Sequence, residues 1–370
     1  MTGRARSRTR ATLWWLCGAG LALAVLATGF ALLALARVHD TAETARTRTV
    51  PATVEVAAAR AAVVSAYRGA VESIRDDAAP LTGPGEDYRG QIAAASQNLA
   101  QAAEDNVAGT PGSQLLRLIE GQLVAFSGSM EQAAAGVAGD GANPLAIADL
   151  WYAADLLHQS GAGILDQLDE LRDGQRAELG TQLRDGAATL TGALWWTVPA
   201  LLLFGLLLGA LWYVNHRFRR GMCPEFVLSL LLLAVLVYAG SRAWAADADL
   251  RHARDLLDER TAVWEFRTWQ TDAMGQRALR AVVDGHCSSE RGECGPTALR
   301  WVRLMPLAPP LENPDDNRWL TTDSDQITRA FDVARGYGDH RWLILGSGLL
   351  VAIASTIGFQ RRLNEYRYRS

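Results

Sequence analysis

The amino-acid sequence predicts an all-α membrane protein with four transmembrane helices, an extracytoplasmic four-helix bundle and a second, smaller helical extracytoplasmic region. Two observations support this fold class. Long apolar runs interrupt an otherwise polar and acidic chain, and the apolar residues between those runs recur every three or four positions. The chain of 370 residues has a mean hydropathy of only +0.02, so the average conceals the apolar runs.

Four apolar runs are long enough to cross a bilayer, which takes about 20 apolar residues in a helix. We place the transmembrane helices at residues 11–36, 186–214, 226–246 and 342–359. A cleaved signal peptide is the alternative for the first run, because arginines precede it and Ala34-Leu35-Ala36 resembles a cleavage site. The run is longer than the apolar core of signal peptides, roughly 7 to 15 residues, which favours an uncleaved anchor.

Arginine content near the ends of the runs indicates the orientation, since cytoplasmic loops retain positive charge. Residues 1–10, 215–225 and 360–370 carry eleven arginines and two acidic residues. Residues 38–185 carry 21 acidic residues against 10 arginines, and residues 247–341 carry 17 against 13. All 36 basic residues are arginine, which with the excess of alanine and glycine indicates a GC-rich bacterial genome. We therefore expect a multi-pass protein of the bacterial plasma membrane with both termini cytoplasmic.

Residues 37–185 contain apolar seams that predict four helices of an extracytoplasmic bundle. The clearest seam lies in residues 144–171 and starts after Asn143-Pro144; its members are Ile147, Leu150, Ala154, Leu157, Gly161, Ile164, Leu168 and Leu171. A second seam consists of Leu116, Ile119, Leu123, Phe126, Met130, Ala133 and Val137. A weaker seam continues from the first transmembrane helix; its members are Val50, Val54, Ala57, Ala61, Val64 and Val71. An Ala-rich helix is expected over about residues 87–107. We expect the first and last helices to be about 40 residues long each.

Residues 247–341 predict the second outer region, which begins with one helix over 247–284. Cys287 and Cys294 follow that helix, and in an oxidising compartment they most simply form a disulfide. A zinc site that includes His286 is the alternative, but no fourth ligand is evident and the spacing is not a usual zinc pattern. Five prolines disfavour a regular helix over residues 296–322, and a final helix is expected from about residue 323 into the fourth span.

Patterns that carry chemistry are absent from the sequence. The six histidines fall on different elements without ligand spacing, so we expect no metal site and no cofactor. Phosphate-binding, metalloprotease and serine-hydrolase motifs are also missing. The four spans contain no acidic residue, and Arg242 is the single charge within them, near enough to the outer end to extend its guanidinium toward the interface. A pairing role for Arg242 between span ends is the sharper alternative.

A few residues stand out as candidates for contact with a ligand or partner. Arg68 intrudes into the first seam, and Trp151 and Tyr152 lie on the seam-bearing helix near residue 150. Each also has a plain structural explanation, a register break or a solvent-facing position for Arg68 and bundle packing for the aromatic pair. Arg217, Arg219 and Arg220 form a basic cytoplasmic loop, where they act as topology determinants, as contacts for anionic lipid or as a contact for a cytoplasmic partner.

The plan of span, helical bundle and span over residues 11–214 resembles the extracytoplasmic sensing domain of bacterial chemoreceptors and sensor kinases. The whole chain resembles the four-span membrane component that works, in high-GC Gram-positive bacteria, with a glutamate/aspartate-binding lipoprotein and with Ser/Thr protein kinase G. The resemblance implies amino acid sensing through an extracytoplasmic solute-binding protein, with a cytoplasmic Ser/Thr kinase as the receiver. Membrane lipid is the other expected partner, and no nucleic acid is expected.

The sequence thus favours a non-enzymatic transmembrane sensor or adaptor that detects an extracellular solute or a loaded solute-binding protein. The alternative is a structural or assembly scaffold of the cell envelope. A transporter subunit ranks third and an enzyme last. Partner binding that changes with ligand would distinguish the sensor from the scaffold.

Overall fold

The computed structural model of the protein describes residues 3–76, 84–137, 144–186, 197–209, 212, 224–286, 329 and 341–367. Every regular element in this part of the chain is a helix, which confirms the predicted all-α class. The elements are α1 (Gly3–Thr44), a π-helical segment (Ala45–Thr49), α2 (Val50–Arg75), α3 (Glu86–Glu104), α4 (Gly109–Val137), α5 (Pro144–His158), α6 (Ile164–Gly186), α7 (Thr197–Gly209), α8 (Pro224–His286) and α9 (Arg341–Arg367).

The chain divides into two compact units. One unit, which we call the apolar unit, comprises Met1–Glu43, Gln182–Ala253 and Ala330–Ser370. The other, which we call the amphipathic unit, comprises Thr44–Thr181 and Arg254–Arg329. Helix α8 contributes residues to both units.

In the apolar unit, small and aliphatic side chains from α1, α7, α8 and α9 form one buried cluster: Ala24, Ala27, Ala31, Leu35, Ala200, Leu203, Leu207, Leu233, Leu236, Ile344 and Val351. Helices α1 and α9 approach closely at Gly348, where a Cβ atom would collide with the side chain of Thr28. The Ser355 hydroxyl lies 3.4 Å from the Ser229 hydroxyl and links α9 to α8 by a hydrogen bond. Other apolar side chains of these helices point outward.

One helix among the described residues is long and apolar enough to cross a membrane, within residues Cys17–Arg75. Three shorter apolar helices coincide with the other predicted spans, at Thr197–Gly209, Val227–Tyr238 and Trp342–Ile357. Within the described residues, the one candidate span by length and composition overlaps the first predicted transmembrane helix.

The amphipathic unit has a core built from the seams that the sequence predicts. All seven seam residues of α4, from Leu116 to Val137, are buried. Helix α4 packs against α5, and α2 packs against α3, and their apolar side chains belong to one cluster. The helix predicted over about 87–107 is present as α3, which ends at Glu104.

Helix α2 is buried over a wider surface than its predicted seam. Val54 and Ala57 are only half-buried, whereas Val56, Val63 and Tyr67, which lie outside that seam, are fully buried. The reason is that α8 also packs on α2, as the contact of Gly275 with the Tyr67 ring shows. A single apolar seam in the sequence identifies one packed face of a helix and does not reveal a second packed face.

The sequence predicts one helix of about 40 residues from residue 144 onward. In the structure a turn between α5 and α6 divides this stretch into two helices, so the prediction of a single helix is wrong. Gly161 has a φ of 75°, in the left-handed region that glycine tolerates best. The backbone N–H of Gly161 donates to the Asp166 carboxylate at 2.6 Å, and the Ala162 carbonyl accepts from Gln122 and Gln167 at 2.8 and 2.7 Å. Side chains of α4 and α6 thus bind the backbone groups of Gly161 and Ala162, and Ile164, Leu168 and Leu171 remain buried after the turn.

The helix predicted over residues 247–284 is present within α8. The sequence predicted that it belongs to a separate second region, but most of it packs in the amphipathic unit. Residues of α8 beyond Arg254 belong to the same unit as α2 to α6. Leu279, Val282 and Val283 join the apolar cluster of that unit, and Trp264 is also buried there. Exposed polar residues alternate with these buried apolar residues along α8. The sequence pattern identifies the buried face but does not show which helix packs against it.

Candidate functional site

A buried polar contact joins α5 to α8 inside the amphipathic unit. The Nε2 atom of His158, the last residue of α5, lies 2.8 Å from Oδ1 of Asp272 in α8. Its Nδ1 atom lies 2.8 Å from the backbone oxygen of Ala154, one turn earlier. The Gln276 amide donates to the second Asp272 oxygen at 2.7 Å. The His158 and Asp272 side chains retain only 16% and 11% of their solvent exposure.

Tyr67 of α2 covers this contact from another helix. Its ring stands edge-on to the His158 ring, with centroids 5.4 Å apart and planes at 69°. Gly275 of α8 lies directly on the Tyr67 ring, so that a Cβ atom there would be 2.8 Å from two ring carbons. Burial, and after it the negative charge of Asp272, raises the pKa of the Tyr67 hydroxyl well above its ordinary value. Tyr67 therefore stays neutral.

The surroundings of His158 favour its protonated form. Burial has the largest effect and lowers the pKa of the imidazole, because it removes water from the charged form. The hydrogen bond and the charge of Asp272, with the bond to the Ala154 carbonyl, act in the opposite direction and outweigh burial and the nearby charge of Arg60. The net result is a pKa of His158 above its ordinary value of 6.5.

An ionic network on α2, α6 and α8 lies in the same unit. Arg172 of α6 contacts Asp169 at 3.1 Å and Glu265 of α8 at 2.8 Å, and Arg176 also contacts Glu265 at 3.1 Å. Arg60 of α2 contacts Asp169 at 3.3 Å. A cavity of about 10 Å³, room for about one water molecule, lies among these side chains. The network therefore joins three helices through arginines that are mostly buried, at 13–26% exposure, and carboxylates that are 35% and 40% exposed.

Arg68, a candidate from the sequence, lines an open cleft of about 520 Å³. Its Nε atom pairs with Glu72 at 3.0 Å, one turn along α2. The remaining lining comes from α2, α3 and α8 and includes Glu86, Asp87, Gln91 and Thr271. The cleft thus offers one guanidinium, several carboxylates and uncharged polar groups to a bound molecule.

Glu55 of α2 is a second group with a shifted pKa. Half-burial has the largest effect, and the carboxylates of Asp105, just after α3, and Glu104, its last residue, add to it, so that the pKa of Glu55 rises to about 7. Three carboxyl groups are thus near one another at the turn between α3 and α4. No group of side chains suited to hold a metal ion occurs in the described part of the chain.

Trp151 and Tyr152, also candidates from the sequence, lie on α5. Trp151 is half-buried, whereas Tyr152 retains 48% of its exposure. Neither residue lines the cleft at Arg68, so the structure does not bring these three candidates together. Phe266 and Trp269 of α8 form an exposed stacked pair, with ring centroids 6.0 Å apart.

The other candidate residues lie at or beyond the limits of the description. Arg242 belongs to α8, within the apolar unit. Arg217, Arg219 and Arg220 fall outside the described residues, as do Cys287 and Cys294 with their predicted disulfide. The cysteine pairing and the basic loop remain predictions.

Sequence reasoning missed the two polar groups that meet in the core, His158 and Asp272. They are separated by 114 positions, so that no local spacing connects them. The one local signal was a histidine that directly follows the seam residue Leu157. Arg60 and Glu265 were missed for a different reason: charged residues on helices are usually exposed to solvent, so nothing in the sequence marked these two as part of a network.

Comparison with known proteins gives one match. Residues 41–184 match the family model described as the Actinobacterial sensor domain. This stretch contains α2 to α6, and with them Arg68 and His158, but not the residues of α8 that pack on those helices. No curated protein and no solved structure matches the chain. Residues 41–184 are therefore similar to an actinobacterial sensor domain, which suggests a sensing role.

Proposed function

We propose that the protein is a non-enzymatic, multi-pass membrane sensor or adaptor. It detects an extracellular solute, or a loaded solute-binding protein, and signals to a separate cytoplasmic partner. The observation that carries this proposal is the match of residues 41–184 to a sensor domain. The acidic character of residues 38–185, against the basic residues 1–10, supports an extracytoplasmic location for that domain.

The apolar unit supports a membrane-embedded position with four spans. Large apolar side chains project outward from each of its helices, for example Val25 of α1, Leu201 of α7, Leu231 of α8 and Leu349 of α9, all at least 60% exposed. Apolar surface of this extent is unfavourable in water and is stable against lipid chains. The four helices therefore serve as the transmembrane part of the proposed sensor.

The cleft at Arg68 is the proposed recognition site, with a free amino acid as the class of solute. Its guanidinium suits a carboxylate, and Glu86 and Asp87 suit an ammonium group. A solute with both charges would compete with Glu72 for Arg68, and that exchange would alter the contact between one turn of α2 and the next. The volume of about 520 Å³ also accommodates a small protruding segment of a binding protein.

In-cell crosslinking with mass spectrometry, with and without added glutamate or aspartate, tests the sensor proposal. We expect crosslinks from the sensor domain to an extracytoplasmic protein, and crosslinks from the cytoplasmic residues whose amount changes with the amino acid. Arg68→Gln should abolish the change. Arg117→Gln is the matched control, because Arg117 is an exposed arginine of α4 that donates a hydrogen bond to the Ser113 carbonyl of its own helix and does not line the cleft. Crosslinks that are identical with and without amino acid would contradict a sensor for this class of solute.

The output is proposed to pass from the basic loop with Arg217, Arg219 and Arg220 to a cytoplasmic partner, with a Ser/Thr kinase as the class that the resemblance implies. Replacement of these three arginines by Gln, with both tails retained, should leave outer binding intact and abolish the response of the partner. Full signal transfer by that variant would mean that the loop only determines topology or holds anionic lipid.

A scaffold of the cell envelope is the competing function, and the exposed stack of Phe266 and Trp269 is the observation in its favour. Exposed aromatic side chains are frequent at the centre of protein interfaces. A scaffold would hold its partner at this stack regardless of solute. If Phe266→Ala removes all partner crosslinks while added amino acid changes none in the parent protein, the scaffold accounts for the protein better than the sensor.

A further inference from the structure

Both ring nitrogens of His158 can make hydrogen bonds at this contact only if His158 and Asp272 together hold one proton more than neutral imidazole and carboxylate. The Ala154 carbonyl can only accept, and so can the Asp272 carboxylate. Because the two ring nitrogens face these two acceptors at 2.8 Å each, both nitrogens must donate. Only the imidazolium form of His158 does so, or the equivalent state in which the carboxyl group of Asp272 holds the proton.

Loss of that proton leaves two acceptors facing each other. If Nδ1 keeps its hydrogen for Ala154, the lone pair of Nε2 faces the Asp272 oxygen at 2.8 Å. If Nε2 keeps it, the lone pair of Nδ1 faces the Ala154 carbonyl at the same distance. Water has little access to repair either defect, because the His158 and Asp272 side chains are 16% and 11% exposed. A buried polar group without a partner is costly.

The groups around the pair leave Asp272 as its single negative partner. On α8, Gln276 holds the other Asp272 oxygen and so stabilises the ionised carboxylate. On α2, Tyr67 packs edge-on and stays neutral, and Arg60 is the positive charge that acts on His158. On α4, the uncharged Gln122 binds the turn that follows α5. Among the groups that act on His158, Asp272 is the one carboxylate that can share its proton.

We propose that the contact between His158 and Asp272 is a proton-dependent latch that fastens α8 to α5. When the pair holds its proton, the latch is closed and α8 is fixed against the matched sensor domain. When the proton is lost, the contact opens and the segment of α8 around Asp272 detaches more readily. The apolar residues Leu279 and Val282 keep the rest of α8 in the core, so the opening is local.

The direction of the pH effect follows from linkage. His158 has a raised pKa in the folded unit and an ordinary pKa of 6.5 once its contacts are lost. The closed latch therefore binds the proton more tightly than the open one. Its contribution is complete below pH 6.5 and is lost as the pH rises through the raised pKa. Within that window the opening equilibrium increases by up to about tenfold per pH unit.

This latch matters because of the helix that it holds. Helix α8 runs from Pro224 to His286, so the latch residue Asp272 and the apolar segment Val227–Tyr238 belong to one continuous helix. The latch does not depend on whether the cleft at Arg68 binds an amino acid. It adds proton concentration as an input to the amphipathic unit.

Hydrogen–deuterium exchange of the full chain in lipid nanodiscs, from pH 6 to pH 9, tests the latch. The protection of peptide 264–283 is divided by that of peptide 116–134 of α4, which removes the intrinsic pH dependence of exchange. We expect this ratio to fall as the pH rises from 6.5 to 9 in the parent protein, because the pKa of His158 is raised in the folded unit. A constant ratio would overturn the proposal.

Two variants assign the effect to His158. His158→Gln should show a ratio that no longer depends on pH, because glutamine does not titrate. His252→Gln is the matched control, since His252 is an exposed histidine of α8, the helix that contains Asp272, and it should behave like the parent protein. The same pH dependence in His158→Gln would also overturn the proposal. If that variant fails to fold, Asp272→Asn provides the second test, with the same expected loss of pH dependence.

Discussion

At the scale of single residues, the close approach of α8 to α2 depends on the missing side chain of Gly275. A Cβ atom at this position would lie 2.8 Å from the Cδ1 and Cε1 atoms of Tyr67 and 3.3 Å from the Arg68 backbone. Tyr67 is fully buried and cannot rotate away without moving its neighbours. Residue 275 therefore determines how near the two helices can lie.

Gly275→Ala should destabilise the amphipathic unit by about 1–3 kcal/mol, the usual cost of forcing extra volume into a packed core. Gly121→Ala is the control, because Gly121 of α4 has open space around it and alanine favours a helix by roughly 0.5–1 kcal/mol. Thermal unfolding of both variants, measured with the parent protein, decides the matter. An equal rise of the midpoint in the two variants would show that the contact with Tyr67 is loose.

Glu55 gives a second prediction at this scale, because its pKa of about 7 lies above the ordinary value of 4.5. The folded state keeps this carboxyl protonated at a pH where the unfolded chain has ionised it. The stabilising difference is therefore present below pH 4.5 and is lost as the pH rises through 7. Glu55→Gln should match the parent protein at pH 4 and unfold at a higher temperature at pH 8. Glu120→Gln, on the exposed face of α4, should show no such gain.

The residues that the sequence could indicate were those that break a local pattern. Arg68 interrupts an apolar seam, and the structure places it at a cleft. His158 and Asp272 break no pattern that a reader of the sequence could test, since each is an ordinary polar residue on an amphipathic helix. Their contact exists only because α8 packs on α5, and that packing is a tertiary event.

At the scale of elements, the seam of α4 was predicted residue by residue because the helix has one buried face. Leu116, Ile119, Leu123, Phe126 and Met130 are all buried along it, while Val124 is 72% exposed. A spacing of three and four keeps the seam on one side of the helix for its whole length. Such a helix needs no knowledge of its neighbours to be identified.

Phe126→Ala should cost about 3–5 kcal/mol, since Phe126 is fully buried at the centre of this seam and its removal leaves a cavity. Val124→Ala, two positions away on the exposed face, should change the stability by less than about 0.5 kcal/mol. Chemical denaturation followed by circular dichroism measures both. A similar cost for the two variants would mean that the exposed face of α4 is covered in solution.

The break between α5 and α6 shows the limit of the same reasoning. Gly161 occupies a seam position by count, yet it is exposed and has a positive φ. The apolar spacing resumes in register at Ile164, so the pattern alone cannot reveal the turn. The signal in the sequence is the pair of glycines at 161 and 163. The structure shows why glycine occupies position 163: a Cβ atom there would lie 2.6 Å from the Gln159 backbone nitrogen.

At the scale of the whole chain, the amphipathic unit combines two parts of the sequence that lie on either side of the second and third predicted spans. The sequence predicted helices in both parts but described them as separate regions. Hydrophobic periodicity identifies a buried face and does not identify the helix that covers it. Leu279, Val282 and Val283 of α8 cover part of the core that α2 to α6 begin.

Leu279→Ala should therefore destabilise the whole amphipathic unit by about 2–5 kcal/mol, although residue 279 lies outside the matched sensor domain. Asp284→Ala, an exposed change on the same helix, is the control. Hydrogen exchange in α4 and α5 is the measurement, because cooperative unfolding would increase exchange there as well. Faster exchange confined to α8 would mean that α2 to α6 are stable without it.

The division of this core between distant parts of the chain sets an order of events during biosynthesis. Residues 41–184 leave the ribosome first, and the residues of α8 that complete their core follow roughly 100 positions later, a delay of about 5–20 s at ordinary rates of synthesis. During that interval the apolar side chains that will meet Leu279 and Val282 have no permanent cover. Residues 41–184 therefore reach their complete apolar core only after α8 has been made.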